Sequence, residues 1–515
     1  MATVNRAPAL WQWPARLLLA AAFTLAALLA RPLIAQAQEG DAWVQSAGAA
    51  GDEEAVAVAV DGAGNVYITG SFRGTVDFDP GPGTAQLTSQ VANAAYIIKL
   101  DPAGNLIWAR SIQGDDDVRP YDLVVDPGGN VALTGSFEGT VDLDPGAALR
   151  RAESRGESDI FLVKLTAAGN LIWSFTAGDS GADRGIGLTA DRNHNLYVAG
   201  SFRGTLTFSG TALGDLVLES AGDDDAIIFR FGGGGSLMWA KRMGGDESDE
   251  GRAVAVDRDG NVYMAGLFEG DVDLDPGWTG WEATSRGDTD IFISKLVAGG
   301  DFRTALAIGG QGEESEPDLA ITGAGDLYLT GSFEREVDFD RNSPAGLRTS
   351  RGEDDIFLAK YSRNLNFHWV QTFGASGTDE GNGVALDLFE NPVIIADFEG
   401  AVDFDPGNAQ RTLTSAGQDD MVVANYTAGG DFRQAQAFGG SMDDTGRALA
   451  LDQRGRVYLA GGIQGTAAFN LDGQTVSRTS AGGYDLVVAK LPQAVWTPAL
   501  VGLYLPMVHE GQAAR

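Results

Sequence analysis

An aromatic position that returns seven times at steps of 65 or 66 residues, four β-like segments within each step, and tight Gly-Asn turns between them together predict an all-β fold. The form expected is a seven-bladed β-propeller of four-stranded antiparallel blades. The aromatic register runs Phe72, Phe137, Phe202, Phe268, Phe333, Phe398 and Ile463. An indole register keeps the same steps through Trp43, Trp108, Trp173, Trp239, Thr304, Trp369 and Gln434. Units of this kind leave open strand edges when stacked in a line and protect them when closed radially. A linear solenoid is the competing architecture, but no polar capping repeat of the kind it needs is visible.

Residues 1–37 read as a signal peptide. Arg6 and Arg16 precede an apolar run over 17–30, and Ala35-Gln36-Ala37 suits cleavage after Ala37. As a helix that run spans about 21 Å, short of a hydrocarbon core of about 30 Å, so export is favoured over an anchor. The propeller is expected over residues 38–491. In its first complete unit, segment A covers 55–60, B starts at 66, C covers 96–100 and D covers 106–111. The A–B and C–D turns share Asp-x-x-Gly-Asn (61–65 and 101–105), in which Gly and Asn accept positive φ. Segment A is rich in Ala, Val and Gly, which suits a crowded innermost strand, whereas D carries the large indole of the outer layer. The chain begins in a D segment and finishes in a C segment. The N-terminal strand around Trp43 is therefore expected to complete the last blade beside 486–491, with Trp496 offering a competing strand. Residues 492–515 form a C-terminal tail too short and too broken by proline to span a membrane.

The chain has 36 Lys and Arg against 71 Asp and Glu. Removing residues 1–37 takes away three arginines and no acid, so the formal charge moves from −35 to −38. Nucleic acid is excluded as an expected partner, because phosphate binding needs a basic footprint. Cations, basic partners or plain solubility fit better. The absence of cysteine rules out disulfides, thiolate metal sites and a lipidated N-terminal cysteine. With 71 glycines and 44% hydrophobic residues, the composition fits short strands and tight turns rather than disorder.

Three recurring patterns, Asp-x-x-Gly-Asn-x-Tyr, Gly-Ser-Phe and Asp-x-Phe-Asp-Pro-Gly, resemble the bacterial seven-bladed β-propeller repeat (SBBP-type) family over residues 42–491. The resemblance implies an exported or surface-displayed protein and no agreed active site. Unit three departs from it at Thr207 and Ser209, unit six at Ala396-Asp397, and unit seven at Ile463 and Ala468.

Antiparallel parity puts the D–A and B–C loops on one face and the short turns on the other. Eight residues before the Asp register that ends segment A, filled by Thr322 in unit five, stand Glu53, Val118, Asp183, Asp249, Glu314, Asp379 and Asp444. Six carboxylates at similar radius form an acidic ring that would favour a cation or basic ligand group unless it caps strands or is neutralised by Arg184, Arg252 and Arg447. The B–C loops of five units carry an aspartate pair: Asp77 with Asp79, Asp142 with Asp144, Asp273 with Asp275, Asp338 with Asp340, and Asp403 with Asp405. These are the candidate Ca²⁺ ligands, although carboxylates at i and i+2 on a strand point apart and Ca²⁺ needs six to eight oxygens, so a solvated Asp-capped turn is the competing reading. The repeated Lys99, Lys164, Arg230, Lys295, Lys360 and Lys490 read as scaffold, paired with Asp61-type residues or solvated. Unrepeated residues are better functional candidates, because the fold does not require them. Trp278 and Trp281, in one B–C loop, either stack on a sugar or anchor a protein, or fold back on the blade edge.

No nucleophile or nucleotide motif is present, and the three histidines have no partnered pattern. The sequence therefore predicts a non-catalytic, secreted or cell-surface binding or adhesion module, expected as a monomer. Its ligand is an extracellular glycan or protein met by the acidic loop face, with Ca²⁺ as the one cofactor in view. A structural surface spacer and a two-carboxylate glycoside hydrolase or lyase are the alternatives.

Overall fold

A computed structural model describes residues 42–492, apart from 90–92, 212–213, 278–279 and 408. The expected signal peptide, the tail from 493 with Trp496, and Trp278 lie outside the described residues.

The described chain is all-β, built of four-stranded antiparallel units. In the first, Glu54–Val60, Val66–Phe72, Ala94–Leu100 and Leu106–Gly114 pair in the order A-B-C-D. These strands contain the sequence segments, and D runs three residues further than expected. The extension has a cause: its end pairs with the B–C hairpin of the next unit, Val141 opposite Gly114 and Asp142 opposite Gln113. The same stitch joins Gly244 to Asp273 and Gly309 to Asp338. C strands such as Ala94–Leu100 and Asp290–Leu296 are buried at every position, because neighbouring sheets cover both faces. This accounts for their continuous apolar runs where a one-sided strand would alternate.

The A strands are Glu54–Val60, Val118–Val125, Asp183–Ala190, Asp249–Val256, Glu314–Ile321, Glu380–Leu386 and Asp444–Leu451. Each lies against the next, and Asp444–Leu451 lies against Glu54–Val60. Trp43–Ala47 pairs with Gln474–Lys490, from Trp43 opposite Lys490 to Ala47 opposite Leu486.

The indole register clamps neighbouring units together. Trp108 Nε1 donates to the Ala167 carbonyl in the next unit's C–D turn at 3.2 Å, and Lys99 Nζ donates to the same oxygen at 3.0 Å. Trp43 and Lys490 share the Pro102 carbonyl in the same way, at 3.1 and 3.2 Å. Gly104, at φ +84°, lets that turn lie flat on the Trp43 ring, where a Cβ would collide. The repeated lysines also reach the Asp61-type residues, at 3.8 Å for Lys99–Asp61 and 2.8 Å for Lys164–Asp126. Among the described residues no helix is long and apolar enough to cross a membrane.

Candidate functional site

The acidic ring of the sequence becomes part of the seams between units. Glu53, Asp183, Asp249, Glu314, Asp379 and Asp444 are at most 1% exposed, so they present no open ring to solvent. Each stands at the start of an A strand, and Glu53, Asp183, Asp249 and Asp379 cap the loop before it: Glu53 Oε2 accepts from the Ala49 amide at 2.6 Å, and Asp379 Oδ2 from Ala375 at 2.8 Å. Arg252 and Arg447 neutralise other groups, as shown below. Arginines that do reach a seam include Arg242, 2.5 Å from Asp225, and Arg341, 3.8 Å from Asp290.

The paired aspartates of the B–C loops act as turn caps in the hairpins that stitch units together, as the competing Asp-capped-turn reading expects. Asp77 Oδ1 accepts from the amides of Asp79 and Ala85 at 3.2 and 2.7 Å, and Asp79 Oδ1 accepts from Gly81 at 2.8 Å. Asp142 Oδ1 accepts from Asp144 and Arg150 at 3.2 and 2.8 Å, and Asp144 Oδ1 from Gly146 at 2.8 Å. In the blade that carries the tryptophans, Asp273 Oδ1 accepts from Asp275 and Trp281 at 3.0 and 2.8 Å, and Asp275 Oδ1 from Gly277 at 2.8 Å. Asp403 Oδ1 takes Asp405 and Arg411 at 3.1 and 2.7 Å, and Asp405 Oδ1 takes Gly407 at 2.8 Å. Asp338 and Asp340 accept from the amides of Asp340 and Asn342 at 3.0 and 3.1 Å. The physical reason is the same in every loop. One oxygen of each aspartate is spent on the turn's own N–H groups, and the two carboxyls of a pair close different turns rather than converging on one point. Among the described residues no group of three or more His, Cys, Asp or Glu gathers in a way that could hold a metal ion, and Asp79, Asp144, Asp275, Asp340 and Asp405 serve, with their partners, as turn caps. Trp281 is half-buried against the core of its blade.

The feature that sequence reasoning missed is axial. All seven A strands line a cavity of about 690 Å³. Most of its wall is Val, Ala, Leu, Ile and Gly, as the crowding of seven inner strands requires, and against this stand Tyr121, Asp122, Arg252, Glu316, Asp318, Asn382 and Arg447. Asp122 and Asp318 occupy a register that is Ala or Gly in the other five units, at 57, 187, 253, 383 and 448. Glu316 takes a register otherwise held by Ala, Pro or Gly, and its φ of +48° widens the bulge of its strand.

These side chains form one connected charge system. Arg252 Nε lies 2.7 Å from Glu250 Oε2, and its Nη1 lies 3.4 Å from Glu316 Oε1. Asn382 Nδ2 donates to Asp397 Oδ2 at 2.9 Å and to the Gly446 carbonyl at 3.0 Å, while Asp397 Oδ1 accepts from the Gly446 amide at 2.6 Å. Burial opposes the Arg447 charge, but Asp397, Glu54, Glu380 and Glu316 hold its pKa above the ordinary value. Burial pushes Asp397 up to about 8, Asp122 to about 7 and Asp318 to about 6. Asp122 braces the next A strand by accepting from Leu188 N at 2.7 Å, and Asp318 does so from Val384 N at 2.8 Å. The signal was present in the sequence: Asp397 is the residue at which unit six departs from Gly-Ser-Phe, and the others break the small-residue pattern of segment A.

This architecture defines a repeat protein of propeller-type β-sheets with an axial polar site. Residues 239–267 match the SBBP β-propeller repeat, so the chain carries the repeat of that family. Among curated proteins it is similar to Regulatory protein FlaEY of Caulobacter vibrioides, 24% identical over 367 residues that cover 68% of this chain and 37% of the relative. It also resembles the uncharacterized WD repeat-containing protein L264 of Acanthamoeba polyphaga mimivirus, at 21% identity over 43% of this chain and 18% of the relative. The chain thus spans well under half the length of these relatives. Among solved structures, the gluconolactonase XC5397 of Xanthomonas campestris aligns over 72% of this chain and 96% of its own, at 14% identity and a TM-score of 0.29.

Proposed function

We propose that the seven units close into one seven-bladed propeller that works outside the cell, or on its surface, as a non-catalytic binding module taking a glycan at the loop-face mouth of the axial cavity. Closure is supported by the contact between the first and last A strands and by the pairing of Trp43–Ala47 with the last C strand. Residues 1–37 would direct export.

The observation that carries the function is the set of unrepeated polar side chains around a cavity of about 690 Å³ whose walls are otherwise small and apolar. Ligand sites commonly have this size and this mixture of apolar wall and few polar groups. Glu316 supports the reading further, since a non-glycine at φ +48° costs roughly 1–3 kcal/mol in a position the repeat fills with small residues or proline.

The test is binding of the mature chain to an array of neutral and acidic oligosaccharides, beside a Glu316→Gly variant that restores the repeat's backbone preference. Saturable binding to one class of glycan, lost or weakened at least about tenfold in the variant while its melting temperature holds or rises, is the expected result. Binding unchanged in the variant moves the site off the axis. An inert array points to a protein partner or a spacer, and turnover of chromogenic glycosides would overturn the non-catalytic reading.

A further inference from the structure

The seams between units hold a second arrangement that the function does not use. Each A strand starts beside the start of the preceding unit's C strand. Backbone bonds fix that register: Glu53 N–H to the Tyr484 carbonyl at 2.7 Å, Asp183 to Ser158 at 2.9 Å, Glu314 to Thr289 at 3.1 Å and Asp379 to Asp354 at 3.0 Å. The acceptor is always the residue before a C-strand aspartate. Six carboxyl pairs therefore meet across the seams: Asp485 with Glu53, Asp159 with Asp183, Asp225 with Asp249, Asp290 with Glu314, Asp355 with Asp379, and Asp420 with Asp444. All twelve residues are at most 4% exposed.

The seventh seam lacks the pair and has Ala94 and Val118 instead, held by the same backbone bond from Val118 to Asn93 at 3.0 Å. A third position changes with them. Under the C-strand aspartate, at the end of the D strand, stand Gly48, Gly178, Gly244, Gly309, Gly374 and Gly439, but Gln113 in the seam without carboxyls. A Cβ on any of the six glycines would overlap the aspartate carboxyl of its seam. Seven internal copies thus show glycine kept where a carboxyl pair must fit and released where it need not.

Ten of the twelve carboxyls accept from the amide four residues back, as in Asp225 from Ala221 at 3.1 Å and Asp249 from Gly245 at 2.7 Å, and Asp444 accepts from the Gln464 amide at 3.0 Å. Other oxygens, including Asp225 Oδ1, Asp249 Oδ1, Asp290 Oδ2, both of Glu314, Asp420 Oδ1 and Asp444 Oδ2, are buried with no hydrogen-bond partner. Two buried carboxylates with orphaned oxygens are untenable unless something positive lies between them.

We propose that each of the six seams binds one proton, shared between its two carboxyls, so that the folded chain holds six protons at neutral pH that the unfolded chain releases. One O–H···O bond satisfies the facing oxygens. A divalent cation fits poorly, because Ca²⁺ takes six to eight oxygens, a seam offers four at most, and eleven of the twelve carboxyls have already committed one to an amide. The charged neighbours are mostly acidic: Asp179 faces Asp183, Glu269 faces Asp249, Asp419 faces Asp379, Asp443 faces Asp444 and Asp52 faces Glu53. Arginines face four of the pairs, Arg155 at Asp159, Arg242 at Asp225 and Asp249, Arg286 and Arg341 at Asp290, and Arg351 at Asp355. Burial first, and the partner carboxyl with it, pushes Asp183 and Asp249 up to about 8, Glu314 to about 9, and Asp379 and Asp444 to about 7.

These pKa values are raised, so the folded state keeps protons that the unfolded state loses above about pH 4. Stability is greatest on the acid side and falls as pH rises through 7 to 9. The test is the infrared carboxyl stretch of the mature protein together with its melting temperature. At pH 7 ordinary carboxyls are ionised, so a protonated C=O band is expected, vanishing toward pH 10 as the melting temperature drops by more than about 5 °C. Asp249→Asn keeps a hydrogen bond across its seam and should remove one seam's share of the band, to which Asp397 and Asp122 outside the seams also contribute. The triple change Asp420→Ala, Gly439→Gln and Asp444→Val, which copies the seventh seam, should remove the same share if the first variant fails to fold. No band at pH 7, a melting temperature that is flat or rising from pH 5.5 to 9, or a band abolished by Ca²⁺ with release of protons would overturn the shared proton.

Discussion

Asp126 and Asp183 open the residue scale, because one chain holds them at opposite ends of carboxyl chemistry. Asp126 lies 2.8 Å from Lys164 Nζ and accepts from Asn130 and Gly128, and these partners outweigh burial and hold it at about 2. Asp183 faces another carboxyl and rises to about 8. The stabilisation from Asp126 is therefore present above about pH 4 and lost as pH falls toward 2, the reverse of the seam pairs. The same packing logic makes Gly309 irreplaceable: Gly309→Ala should cost about 1–3 kcal/mol by overpacking the Asp290 carboxyl, whereas Gln113→Ala at the equivalent position should cost under about 1 kcal/mol. Urea midpoints of the two variants check this. One carboxyl of each pair was legible in the sequence as a register before the A strands. Its partner was not sought, although Ala94, Gln113 and Val118 mark together the one unit that lacks the arrangement.

At the scale of elements, strand positions were legible because two-residue alternation and Gly-Asn turns are local signals. What was not legible is pairing between copies. The Asp-Pro-Gly motif announces a turn, yet nothing in a single repeat says that the hairpin it closes will pair with the previous unit's D strand, as Asp273 does with Gly244. Nor does the spacing of Asp142 and Asp144, or of Asp403 and Asp405, reveal that each side chain is used up within its own turn. The strand Trp43–Ala47 carries the most weight per residue, since it covers the edge of Gln474–Lys490 and its indole grips the Pro102 carbonyl. Deleting residues 38–47 from the mature chain should lower the melting temperature by more than about 5 °C and expose an edge that associates with a second copy in a concentration-dependent way. Scanning calorimetry with sedimentation reads both effects, and an unchanged monomer would contradict the role given to this strand.

On the scale of the whole molecule, four-stranded units built on one repeated pattern make the frame, and function is expected where the repetition fails. Sequence periodicity reveals the frame readily and hides the exceptions, since Asp122, Glu316 and Asp318 each look like one changed residue until the A strands bring them to one cavity. In the linear sequence Trp278 and Trp281 are the conspicuous unrepeated residues, because their type is rare. The central claim is that the loop-face mouth of the axial cavity binds the ligand. Its most direct test is hydrogen exchange of the mature protein with and without the best-binding oligosaccharide from the array. The account predicts new protection in A strands around 121–123, 315–318 and 381–384, and none in the A–B and C–D turns of the opposite face. Protection confined to those turns, or to the outer D strands, would contradict it.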